Sequence, residues 1–130
     1  MPNMADITVK KADGTTNITY TAVQKSAGDT SPARWEQQTP SVLSLRPQFA
    51  VQSSRPPGAG NLRRVECNGV YPIADPVNPT VEGARVTLNG CKVTISRNSA
   101  VVDTAEGVHQ LMNLVAAALV KQCALEGYAP

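Results

Sequence analysis

One helix set against a long run of sheet-forming sequence constrains this chain more than any other feature. Arg85-Val-Thr-Leu-Asn-Gly-Cys-Lys-Val-Thr-Ile-Ser-Arg97 reads as a long strand, followed by a short polar link. A helix then opens at Asp103-Thr-Ala-Glu106, where Asp103 can accept from a free first-turn N–H and Glu106 can reach back. Val108, Leu111, Met112, Val115, Ala118, Leu119 and Cys123 continue at helical spacing, and Gly127 is placed to end the segment in a left-handed cap. Nearly everything before Arg85 patterns as short β segments. One helix over 103–126 cannot cover that much sheet by itself.

The sheet-forming part is legible strand by strand. Asp6 to Lys10 and Asn17 to Val23 alternate apolar and polar residues around an Asp13-Gly14 turn, which predicts a β-hairpin within residues 1–24. Lys25 to Pro32 is a loop rich in Ser, Gly, Asp and Pro. Arg34 to Gln38 is a short strand anchored by Trp35, the first segment of a sheet spanning 33–97. From Ser41 to Ser54, Leu43, Leu45, Phe49 and Val51 share one parity, while Ser44, Arg46, Gln48, Gln52 and Ser54 share the other. Pro47 should mark a bulge or an edge there. After an Arg55-Pro-Pro-Gly loop, Asn61 to Tyr71 places Val65, Cys67 and Tyr71 on one face and Arg64, Glu66 and Asn68 on the other. Pro72 to Gly83 reads as a loop of the length that usually carries a function. In the last strand the parity slips between Val86/Leu88 and Val93/Ile95. A bulge at Asn89-Gly90 would return all four to one side.

Several function classes are disfavoured. Hydrophobic residues make up 42% of the 130, an ordinary globular share that points to one folded domain over 1–130. No apolar run approaches the roughly 20 residues that span a bilayer, and the N-terminus lacks the pattern of a signal peptide, so a protein made in a cytoplasm is expected. Cys67, Cys91 and Cys123 show no C-x-x-C spacing, so neither a disulfide scaffold nor a zinc site is expected, and no cofactor. His109 sits in the helix without a carboxylate or Cys at ligand spacing. No serine has a nucleophile-elbow setting, no Gly-rich loop precedes a helix, and the acidic residues are scattered. An enzyme is therefore not expected.

Charge is distributed unevenly. The net charge is only +2, yet Arg46, Arg55, Arg63, Arg64, Arg85, Lys92 and Arg97 face only Glu66, Asp75 and Glu82 across the middle of the chain. A basic sheet face of this kind suits phosphate. Five scattered aromatics are too few for a base-stacking platform, so any nucleic-acid contact would rest on cations, amides and hydroxyls.

Taken together, the layout resembles the coat proteins of single-stranded RNA bacteriophages, the leviviruses. The resemblance is carried by the Ile-Thr-Val…Asp-Gly…Ile-Thr-Tyr hairpin, Ala33-Arg-Trp35 and Phe49-Ala-Val-Gln-Ser-Ser54. It continues through the Arg-Pro-Pro-Gly loop, Leu62-Arg-Arg-Val-Glu66, Val70-Tyr-Pro72, Arg85-Val-Thr-Leu-Asn89, the Leu/Val/Ala-rich helix and Leu125-Glu-Gly-Tyr128. Order, spacing and length carry it over almost the full chain.

The resemblance implies an α+β fold: an N-terminal β-hairpin and antiparallel β-sheet, then a C-terminal helix that can kink into two. It further implies an interlocked homodimer in which each subunit lays its helix across the partner's sheet. Val108, Leu111, Met112, Val115 and Leu119 would form that dimer interface. Leu114, Val120 and Leu125 fall off the stripe, and a helix apolar beyond one stripe needs a second partner. Dimers would assemble into an icosahedral shell, with T=3 symmetry usual, in the bacterial host cytoplasm and without a membrane. The loop bearing Pro72, Asp75, Pro76, Asn78 and Pro79 would make inter-dimer contacts, non-covalent because it holds no cysteine. The opposite sheet face would bind single-stranded genomic RNA, including a translation-repressing hairpin, through Arg46, Gln48, Gln52, Arg64, Asn68, Thr87, Asn89 and Lys92. The alternative reading is a small dimeric RNA- or DNA-binding regulator that forms no shell.

Overall fold

A computed structural model describes residues 3–55, 62–96, 101–127 and 129. The Pro56–Asn61 part of the Arg-Pro-Pro-Gly loop, the polar link 97–100 and Tyr128 lie outside the described residues, as does the Asp103 side chain on which the capping box depends. The chain forms two compact units, Met1–Thr94 and Ile95–Pro130.

The first unit is a six-stranded antiparallel sheet in which every strand pairs with its neighbour in sequence. The strands are β1 (Ile7–Lys10), β2 (Asn17–Gln24), β3 (Ala33–Glu36), β4 (Gln48–Ser54), β5 (Leu62–Ala74) and β6 (Glu82–Ser96). The predicted hairpin forms, with Ile7 opposite Tyr20 and Val9 opposite Ile18. Its turn is held by the Asp13 carboxylate, which accepts from the backbone N–H groups of Thr15 and Thr16, both at 2.9 Å, and from the Thr16 hydroxyl. Gly14 supplies the positive φ of 74°.

Two sequence expectations shift. The strand expected from Ser41 begins only at Gln48. Leu43–Leu45 forms a 3₁₀ turn instead, and Pro47 sits just before the first strand residue, where a missing N–H costs no ladder bond. Arg46 fastens that turn by donating from Nε to the Pro40 carbonyl at 2.8 Å and from Nη1 to Glu36 Oε1 at 3.1 Å. The long loop expected from Pro72 is shorter than that. Pro72, Ile73 and Ala74 extend β5, and the connection shrinks to a turn closed by the Asp75 N–H on the Val81 carbonyl at 2.9 Å. Gly83 permits this closure, because a Cβ there would lie 2.9 Å from the Asp75 Cα.

At Gly90 the expected irregularity is present. Gly90 adopts φ 73° within β6, and its N–H is donated to the Asn68 side-chain oxygen at 2.8 Å. Around it, Leu88 lies beside Gly69, where a Cβ would sit 3.7 Å from that of Leu88.

The second unit holds α1 (Val101–Val115) and α2 (Ala118–Glu126). The helix thus begins at Val101 rather than Asp103. It breaks where Ala117 turns extended, with a bend of 43° between the two segments. Neither Gly nor Pro stands at the break, so local propensity does not forecast it. Gly127 ends α2 in the left-handed conformation, its N–H on the Cys123 carbonyl at 2.8 Å, as the sequence predicts. No single helix among the described residues is long and apolar enough to cross a membrane.

Among the described residues no hydrophobic side chain is buried. Pro47 and Gln37 are the buried ones. A one-layer sheet and a bent helical pair each lack an inside of their own.

The Asp13 turn carries a pH signature. Its hydrogen bonds from Thr16 and Thr15 hold the carboxyl at about 2 against an ordinary 3.8. A depressed native value stabilises the turn above the ordinary value, and that stabilisation is lost as pH falls from 3.8 toward about 2. We expect the Thr15 and Thr16 amides to lose hydrogen-exchange protection across that window. An Asp13→Ala variant should lack the protection at every pH.

Candidate functional site

Strand register sorts the sheet into two chemically distinct faces, because directly paired residues point the same way. Trp35, Phe49 and Gly69 align across β3, β4 and β5, as do Ala33, Val51 and Cys67. Ile7, Val9 and Tyr20 continue this face on the hairpin, and Tyr71, Val86 and Leu88 continue it toward β6. Ile7, Val9, Tyr20, Phe49, Tyr71, Val86 and Leu88 line most of an open, mainly apolar trough of about 400 Å³. The Trp35 and Phe49 rings meet at 5.9 Å between centroids, and the Trp35 indole N–H is donated to the Ala5 carbonyl at 2.8 Å.

The other face is polar. Gln48 pairs with Val70 and Glu36, Ala50 with Asn68 and Arg34, Gln52 with Glu66, and Ser54 with Arg64. Gln24 joins them opposite Arg34, after an irregularity between Ala22 and Gln24. A second trough, about 460 Å³, runs over this face and is lined in part by Gln24, Arg34, Gln48, Gln52 and Asn68. Glu66 and Lys92 flank Gly90, each reaching within 3.8 Å of where its Cβ would stand. Thr87 and Asn89 alternate with Leu88 and so fall on the polar side.

Four of the eight nucleic-acid candidates (Gln48, Gln52, Arg64 and Asn68) are therefore placed on one face by direct pairing, and Thr87, Asn89 and Lys92 adjoin it. Arg46 differs, since it lies in the turn before β4 with its guanidinium on Glu36. Arg34 and Gln24 belong to the face and were missed. For Arg34 the signal was alternation around Trp35, because a neighbour of the apolar anchor must point the opposite way, whereas Gln24 reaches this face only through the irregularity after Ala22, which alternation does not forecast.

Ion pairing divides the cations. Arg46 pairs with Glu36, Arg63 grips Asp29 through both terminal nitrogens at 3.1 and 2.7 Å, and Arg85 pairs with Glu82. The Arg85 hydrogen bond lowers the Glu82 carboxyl and raises Arg85. Arg34, Arg64 and Lys92 enter no ion pair among the described residues, and the Nε of Arg64 is buried without a hydrogen-bond partner. His109 is exposed on α1, and no cluster of metal-ligating side chains occurs among the described residues.

No protein-family model and no curated protein matches the chain. Solved structures do. The virus-like particle of Beihai levi-like virus 21 superposes with a TM-score of 0.79 at 21% identity, covering 99% of this chain and 98% of that one. The virus-like particle of bacteriophage NT-214 gives 0.79 at 12% identity, covering 99% of both chains. The coat protein of bacteriophage EMS014 gives 0.64 at 17% identity, over 85% of this chain and 72% of that one. The fold is that of levi-like phage coat proteins.

Set within the levi-like coat fold, the apolar surfaces are conspicuous. Val86 is 61% exposed on the sheet, and Leu111, Met112, Leu114, Val115, Leu119 and Val120 are all exposed on the helices. Of the expected dimer-interface residues only Val108 is half-buried. In the β5–β6 turn, Asp75 accepts from the Val77 N–H, and Asn78 accepts from the Thr80 N–H and hydroxyl. Val77 projects from this braced turn at 93% exposure. Pro76, Asn78 and Pro79 lie in the same turn, whereas Pro72 lies in β5.

Asn68 has a structural duty beside its place on the polar face. Asn68→Ala removes the acceptor for the Gly90 N–H, and we expect a loss of about 1 kcal/mol in chemical denaturation. Faster exchange of the Gly90 amide should accompany it.

Proposed function

We propose that this chain is the coat protein of a single-stranded RNA phage, which pairs into interlocked homodimers and builds an icosahedral shell around genomic RNA. The observation that carries this reading is the pair of uncovered apolar surfaces, one on the sheet and one on the helices. Leu111, Met112, Leu114, Val115 and Leu119 alone offer roughly 10 kcal/mol if a partner covers them. That is comparable to the whole stability of a small domain. A second copy supplies the cover reciprocally: its helices lie on this apolar sheet face while these helices lie on its own. The β6 edges then pair across the two-fold axis, which also removes an exposed edge. An obligate interface of this type buries roughly 2,000 Å² or more.

The polar face then lines the shell interior. Arg34, Arg64 and Lys92 neutralise phosphates, and Gln24, Gln48, Gln52, Asn68, Thr87 and Asn89 meet riboses and base edges. Hairpin recognition that represses translation would use the same surface. The braced turn carrying Val77 meets neighbouring dimers.

Expression followed by electron microscopy tests the reading. We expect closed particles holding nuclease-protected RNA. A compact dimer that never forms a shell would favour the regulator instead, and a monodisperse monomer at high concentration would sink both. Leu111→Asp with Leu119→Asp should abolish dimers in light scattering. In the dimer, replacing Arg34, Arg64 and Lys92 by Ala should weaken RNA binding and flatten its salt dependence by about 0.7 in slope per cation removed.

A further inference from the structure

Cys67 and Cys91 belong to adjacent strands and are not used by the function proposed above. Cys67 lies on the apolar face, in register with Val51 of β4. Two contacts fix how β6 runs beside it: Leu88 lies against Gly69, and the Gly90 N–H reaches the Asn68 side chain. Going on by one residue in each antiparallel strand sets Cys91 opposite Cys67. The extra residue absorbed at Gly90 turns Cys91 to the same side as Leu88, and hence as Cys67. Opposed residues of an antiparallel pair have Cα atoms about 4.5–5.5 Å apart, inside the span of about 4.4–6.8 Å that a disulfide accepts. Both thiols are free and half-buried. Burial first, and the neighbouring Cys91 second, push the Cys67 thiol up.

We propose that Cys67 and Cys91 form a redox-sensitive cross-strand dithiol, which closes to an intrachain disulfide when the protein meets a small-molecule disulfide such as oxidised glutathione. The Cys91 thiolate attacks one glutathione sulfur and releases the first glutathione thiolate. Cys67, after giving up its proton, attacks the Cys91 sulfur of the mixed disulfide and expels the second. The two thiol protons pass through solvent to the two departing thiolates. The chain loses two electrons and one glutathione disulfide gains them. In a reducing cytoplasm the pair stays as thiols, and the bond forms only in an oxidising medium. It staples β5 to β6 across the Gly90 bulge and lies within one chain, so it adds no covalent link between subunits.

The full chain treated with oxidised glutathione, then alkylated and digested, tests this. We expect a mass loss of two hydrogens, one linked peptide pair joining Cys67 to Cys91, and unchanged mobility of the single chain on a non-reducing gel. The unfolding midpoint should rise on the order of 5 °C and return with dithiothreitol. Cys67→Ser and Cys91→Ser should each lose both the link and the rise, while Cys123→Ser keeps both. Separate glutathione adducts on Cys67 and Cys91, a link through Cys123, or no link at all would overturn the proposal. Failure of the link would leave the shell reading untouched, because the bond lies within one chain.

Discussion

A single layer of sheet cannot bury its own apolar face, and this shortfall governs the rest of the molecule. Trp35, Phe49, Tyr71, Val86 and Leu88 are brought to one side by strand pairing, yet that side remains open, and Tyr71, Val86 and Leu88 are themselves exposed. The helices repeat the problem, with Leu125 at 88% exposure. Apolar area left in water forfeits about 25 cal/mol for each Å². Large exposed apolar surfaces of this kind mark interaction sites. In the dimer proposed above, each chain carries both a face to be covered and a helical pair to cover with.

Alternation does for charge what it does for apolarity. Where the strands run regularly, every second residue is committed to the polar side, which gathers Arg34, Gln48, Gln52, Arg64 and Asn68 without any contiguous basic motif. The carboxylates then decide which cations are available. Glu36, Asp29 and Glu82 engage Arg46, Arg63 and Arg85. A basic middle segment in sequence thereby becomes a more selective pattern in space, and counting charges along the chain overstates the cations left for a ligand.

The two faces depend on a few residues that control register. Gly90 is one, since a left-handed residue in mid-strand absorbs the parity slip between Leu88 and Val93, and Asn68 supplies the hydrogen bond the bulge requires. Gly83 is another, because only a residue without Cβ lets the chain close against Asp75. Both glycines mark backbone geometry, and both sit where a side chain would displace β6 from β5.

The sequence alone determined the hairpin, the alternation within β4 and β5, the bulge at Gly90 and the left-handed end at Gly127. Each rests on neighbours close along the chain: Asp13 with Thr16, parity from Phe49 to Val51, a glycine inside a strand. It also carried the resemblance to levivirus coat proteins, whose fold the solved structures share. Tertiary structure alone decided where β4 begins, how short the β5–β6 turn is, where the helix breaks, and which arginines are tied up. Those outcomes depend on partners distant in sequence, such as Glu36 for Arg46 and Asp29 for Arg63. Periodicity cannot report such pairs, because the free energy that selects them arises only once the strands lie side by side.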